Sequence, residues 1–194
     1  MGMRHLFVAQ HGFVNHWDHQ KLINDPPLED RGVYEIKKLG DAIDAILYND
    51  NDASAHIISS SAKAAVQSSK ILAKKLELKD FEKISYLWTG LDAPKNSFYS
   101  GDSLPLDLEN KVLDQKSLIK RLDKVMNIVS DRKDKADAII IMADIEIVKY
   151  FAGYFKEKTW GTKDGYIRLD WGKAHHIQYN HEIIPYTLKK DSSR

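Results

Sequence analysis

The sequence predicts an α/β protein: a mainly parallel sheet with helices on both faces and a β-hairpin near the C-terminus. Three observations predict it. Short apolar runs of strand length alternate with longer segments of helical periodicity, the order of a parallel sheet joined by helical crossovers. The run 138–143 is apolar throughout, as a strand buried on both faces must be. Three of the runs end in polar residues, namely Gln10-His11-Gly12, Ser59-Ser60-Ser61 and Asp144. In open α/β sheets, ligands bind just beyond the carboxyl ends of the strands.

The first strand spans 4–10 and stops at Gly12. Residues 13–24 read as a loop. Asp25-Pro26-Pro27-Leu28 then forces an extended turn, because a residue before proline is pushed out of the helical region. From about Glu29, Val33, Ile36, Leu39, Ile43 and Ile46 recur at three- and four-residue spacing and make one apolar helix face. The polar cluster Asn49-Asp50-Asn51-Asp52 ends that helix.

A second strand, 55–59, meets Ser59-Ser60-Ser61, where serine is the expected N-cap of the next helix. Ala62, Ala65, Val66, Ser69, Leu72, Ala73 and Leu76 share one face of it. The third strand is placed at 84–88, and 89–105 is a long loop, a length typical of a functional cover or an insertion. A helix over 115–130 turns Leu118, Leu122, Val125 and Val129 inward. A charged connection, 131–137, leads to the central strand 138–143 and a further helix, 145–155. Runs 166–171 and 174–179 flank Gly172-Lys173 and read as a hairpin. Neither a repeat nor a linker divides the chain, so 1–188 are expected to form a single domain and 189–194 a polar tail.

The net charge is +1, which offers no basic field to nucleic acid. The absence of cysteine excludes disulfides, thiol catalysis and cysteine-ligated metals. No apolar run approaches the roughly 20 residues of a membrane helix, and residues 6–9 are too short for a signal-peptide core. The expectations are cytoplasmic residence, no membrane, no nucleic acid and no cofactor, with the oligomeric state open. His11, His16, Asp18 and His19 form one histidine-rich group, and His175, His176, His181 and Glu182 another. Neither has the helix-borne spacing of a metal motif, so no metal is expected. Trp17, Trp88, Trp160 and Trp171 suit core or rim packing, or a partner surface.

Five stretches, in order and at similar spacing, resemble the histidine phosphatase superfamily, also called phosphoglycerate mutase-like. They are Gln10-His11-Gly12, Asn15, Pro27-Leu28-Glu29-Asp30-Arg31-Gly32, the run from Ser59 to Ser68, and Ile139-Ile140-Ile141-Met142-Ala143-Asp144. The resemblance implies a three-layer α/β/α fold. It also implies a chemistry in which one histidine, here His11, takes up a phosphoryl group. Two arginines and a second histidine hold the phosphate oxygens, and a carboxylic acid protonates the leaving group. It places the phosphate pocket at Gln10, Gly12, Asn15, Ser60, Ser61, Lys63 and Ala64, and the acid at Asp92 or Asp102.

The chain departs from that pattern at its cations. Gln10 and Ala64 stand where the family has arginine, and Asp144 where it has the second histidine. Phosphoryl transfer asks chiefly for positioning and positive charge, and one arginine in that role is worth roughly 10³–10⁵ in rate. Lys63, Lys21 and Arg4 are the cations that would have to replace them. The leading expectation is a pseudophosphatase, a catalytically impaired relative that binds a protein partner or a small ligand in the strand-end cleft. The alternative is an active phosphatase acting on small phosphomonoesters or protein phosphohistidine through phosphorylated His11.

Overall fold

In a computed structural model of the chain, the described residues are 3–15, 17–18, 21–22, 25–51, 53–87, 115–144, 147–148, 165–169 and 174–178. In chain order the elements are β1 (His5–Gln10), β2 (Trp17–Asp18), β3 (Lys21–Leu22), α1 (Asp30–Asn49), β4 (Ala55–Ser60) and α2 (Lys63–Lys75). Then come β5 (Glu82–Ile84), α3 (Gln115–Arg132), β6 (Ala138–Ala143), β7 (Gly165–Leu169) and β8 (Ala174–Gln178).

Six strands make one sheet in the order β5-β4-β6-β1-β8-β7. The first four are mutually parallel, and β8 and β7 run antiparallel to their neighbours. The expected hairpin is therefore β7–β8, whose turn lies outside the described residues. The central place expected for the most apolar strand is filled by β6, buried at every position between β4 and β1.

Strand alternation divides the core into two layers. Leu6 and Val8 of β1, with Ile139 and Ile141 of β6, pack on Val125 and Val129 of α3. Their neighbours Phe7 and Ala9, with Ile140 and Met142, pack on Ile36, Leu39 and Ile43 of α1 and Leu72 of α2. Two-residue periodicity on a strand sends adjacent side chains to opposite faces, so a continuously apolar strand needs helices on both sides.

The structure moves several boundaries. Residues 13–24, read as loop, contain a small antiparallel ladder of β2 on β3. The third strand lies earlier than expected, and Ser85–Leu87 form a 3-10 turn after it. The buried face of α1 includes Gly32, Gly40 and Leu47 beside the predicted Ile36, Leu39 and Ile43, while the predicted Val33 and Ile46 are only partly buried. The expected helix over 145–155, the loop 89–105, and Trp88, Trp160 and Trp171 lie outside what is described beyond Ile147 and Val148. Among the described residues, no helix is long and apolar enough to cross a membrane.

Candidate functional site

The carboxyl ends of β1, β6 and β4 sit side by side and level, with Gln10 opposite Ala143 and Ser59 opposite Met142. His11 and Asp144 each follow their strand by one residue, so adjacent parallel strands deliver both to one edge. The His11 backbone N–H donates to the Ala143 carbonyl at 3.2 Å, which extends the ladder one step and fixes where the imidazole starts.

The imidazole is oriented by its own neighbour. His11 Nδ1 lies 2.9 Å from the Gly12 carbonyl oxygen. A carbonyl only accepts, so Nδ1 carries the proton and donates it. Nε2 then presents its lone pair outward, and the Asp144 carboxylate lies 3.7 Å from it. Both side chains are largely but not wholly covered, 14% and 13% exposed.

Around this pair, α2 ties the loops down. Gln67 Oε1 accepts the Leu28 backbone N–H at 2.7 Å, and Ser68 Oγ accepts the Gly12 N–H at 3.2 Å. Glu35 on α1 accepts the Phe13 N–H through Oε2 at 2.9 Å and the Arg31 Nε–H through Oε1 at 2.9 Å. The Arg31 guanidinium also lies over the Phe13 ring, 4.8 Å from its centroid. Gly12 and Gly32 meet backbone to backbone. A Cβ on Gly12 would fall 2.3 Å from the Gly32 carbonyl oxygen, and one on Gly32 would fall 2.3 Å from that of Phe13. That contact seats the first turn of α1 against the turn carrying His11.

The expected serine cap is not what starts α2. Ala62 is its N-cap residue and makes no side-chain cap bond. The Asp25 carboxylate accepts the Lys63 N–H at 2.8 Å instead, and Ser60 Oγ accepts the Ala62 N–H at 3.3 Å. An aspartate reaching in from the 25–28 turn satisfies a free helix-start donor and adds a favourable charge at the positive helix end.

The remaining expected positions divide clearly. Ser60 and Gly12 are buried, Ser61, Asn15 and Lys63 are exposed, and Ala64 is buried in the first turn of α2. Gln10 keeps its carbonyl oxygen Oε1 buried with no hydrogen-bond partner among the described residues. Arg4, considered as a replacement cation, lies at the opposite end of β1. There it pairs with Asp50 at 2.6 Å and Asp137 at 3.2 Å. Asp92, Asp102, His16, His19, His181 and Glu182 lie outside the described residues, as do the side chains of Trp17, Asp18, Lys21 and His175. Sequence reasoning missed Asp25, Glu35, Gln67 and Ser68. Gln67 and Ser68 lie inside the run from Ser59 to Ser68 that carries the family resemblance, but spacing alone assigns them no role.

No family model matches the sequence, and no curated protein matches it. Solved structures do. The ecdysone phosphate phosphatase of Bombix mori, in complex with tungstate, aligns over 98% of this chain and 97% of its own, with a TM-score of 0.59 at 12% identity. A mycobacterial glucosyl-3-phosphoglycerate phosphatase aligns over 79% and 80%, with a TM-score of 0.53 at 10% identity. A mycobacterial protein called hydrolase 1 aligns over 79% and 81%, with a TM-score of 0.54 at 10% identity. With the strand order, the two-layer core and the paired strand ends, these neighbours establish that the chain has the histidine phosphatase, phosphoglycerate mutase-like fold.

Proposed function

We propose that this protein is a pseudophosphatase, a histidine-phosphatase-like chain whose catalysis is impaired and which works as a binding or regulatory module. The observation that carries this reading is the Asp144 carboxylate 3.7 Å from His11 Nε2. Nε2 is the nitrogen whose lone pair would attack phosphorus. A phosphoryl group placed for that attack brings its negative charge close to the Asp144 carboxylate, and at a separation of about 4 Å the repulsion is large. Each pair of unit negative charges at that separation costs about 4 kcal/mol at an effective dielectric near 20. Catalysis of this transfer depends on preorganised positive charge at the same oxygens. Gln10 and Ala64 bring none to the two positions that the family resemblance makes arginine.

One observation favours the second reading, an active phosphatase working through phosphorylated His11. The Nδ1 bond to the Gly12 carbonyl is the orientation that a nucleophilic Nε2 needs. Hydrolysis of p-nitrophenyl phosphate by the wild type and by His11→Ala separates the two. The pseudophosphatase reading expects both proteins to match the uncatalysed rate. Turnover that is present in the wild type and lost in His11→Ala overturns it.

A further inference from the structure

A second surface lies at the other end of α2. Thirteen helical residues span about 20 Å, so the end at Lys75 is far from the strand-end cleft at Lys63. An open groove of about 490 Å³ lies there, between the last turns of α2 and the segment leading into β5. Its floor is Ala73, Leu78 and Phe81, and Lys70, Lys74 and Lys79 stand around it. Leu78 and Phe81 are only partly buried; they pack on the core with one side and leave the other to the groove.

The lysines distinguish this groove from ordinary charged surface. Lys75, next in sequence to Lys74, is held by Asp41 at 3.0 Å and Asp44 at 4.0 Å. Lys70, Lys74 and Lys79 make no ion pair among the described residues. Lys70 and Lys74 are four residues apart on α2, so they stand on one helix face and repel each other mildly. Three cations against the single carboxylate of Asp80, around a half-buried apolar floor, form a surface that an acidic chain with apolar side chains complements in both respects.

We propose that this groove docks an acidic peptide segment of a partner protein, with large apolar side chains seated on Leu78 and Phe81 and carboxylates on the three lysines. A concave floor suits inserted side chains, whereas a membrane surface needs a protruding or flat contact. Asp80 on the rim disfavours a purely polyanionic ligand and favours alternating acidic and apolar residues. The proposal stands whether or not the His11 cleft retains chemistry, because no residue of the groove belongs to that cleft.

The test is fluorescence anisotropy with a short labelled peptide of alternating glutamate and leucine, on the full chain. Expected are saturable binding in the micromolar range, weakening as salt rises, and no change in His11→Ala. The triple variant Lys70→Glu, Lys74→Glu, Lys79→Glu should bind at least about tenfold more weakly, since three attractions become repulsions. A control triple, Lys37→Glu, Lys38→Glu, Lys124→Glu, changes the net charge equally on α1 and α3, which carry no residue of the groove, and should bind as the wild type does. Equal loss in both triples, no saturable binding by the wild type, or binding to phosphatidylserine vesicles without binding to the peptide would each overturn the proposal.

Discussion

His176 should make the stability of this fold depend on pH well above the carboxylate range. It sits on β8, 2% exposed, with its ring stacked on Phe7 at 4.4 Å between centroids. A chain of hydrogen bonds fixes its protonation. The Asp50 carboxylate accepts from His5 Nε2 at 2.7 Å, which leaves His5 Nδ1 as the acceptor for His176 Nε2–H at 3.0 Å. His176 Nδ1 is buried with no hydrogen-bond partner among the described residues. A second proton on His176 would land on that nitrogen. Burial above all, with a smaller contribution from the neighbouring His5, pushes its pKa down from 6.5 to about 4.

The folded pKa lies below the unfolded one, so the unfolded chain takes up the proton first as pH falls. The stabilisation is fully present above about pH 6.5 and is lost progressively toward pH 4. The full shift corresponds to about 3 kcal/mol, and the part lost between pH 8 and pH 5 to about 2 kcal/mol. Two carboxylates do not cloud this window. The Ser54 hydroxyl bond holds Asp137 below its ordinary value. Burial pushes Glu82 up, and its bonds to Arg132 and His56 outweigh that and leave it lowered. Both therefore titrate lower still. The assay is urea unfolding from pH 8 to pH 5 on the wild type and on His176→Phe, which keeps the stacking ring. The wild type should lose about 2 kcal/mol across that range and the variant much less, from a lower starting value. An equal pH slope in both proteins would refute the argument.

Other substitutions follow from the same contacts. Gly32→Ala drives a Cβ into the Phe13 carbonyl, a backbone atom that cannot swing aside, and should cost about 1–3 kcal/mol, seen as a drop of several degrees in Tm. Asp50→Ala removes one of the two carboxylates on Arg4 and the acceptor of the His5 Nε2–H, and should lower urea-unfolding stability by about 2 kcal/mol at pH 7.5. Ser68→Ala orphans the buried Gly12 N–H and should cost about 1 kcal/mol, with faster amide hydrogen exchange at Gly12 and His11.

The frame of this fold was readable because its signals are local. An apolar run at 138–143 and three- and four-residue spacing in α1 are imposed by burial on elements that repeat along the chain. The convergence of His11 with Asp144 was readable because both follow apolar strands, and parallel strands put such ends together. What escaped reading depends on partners distant in sequence. The loop from Phe13 held a ladder of two-residue strands, too short for periodicity to register. The start of α2 went to Asp25, 38 positions upstream of the N–H it binds, rather than to the adjacent serines. Arg4 passed as a free cation because its carboxylates, Asp50 and Asp137, come from the end of α1 and the approach to β6.

The most direct test of the central claim is calorimetric titration of inorganic phosphate and orthovanadate into the wild type, His11→Ala and Asp144→Asn. The account predicts no binding to the wild type at millimolar anion, no change in His11→Ala, and a gain in anion affinity in Asp144→Asn once the carboxylate beside Nε2 is neutral. Micromolar binding by the wild type that disappears in His11→Ala would contradict it and return the cleft to phosphoryl chemistry.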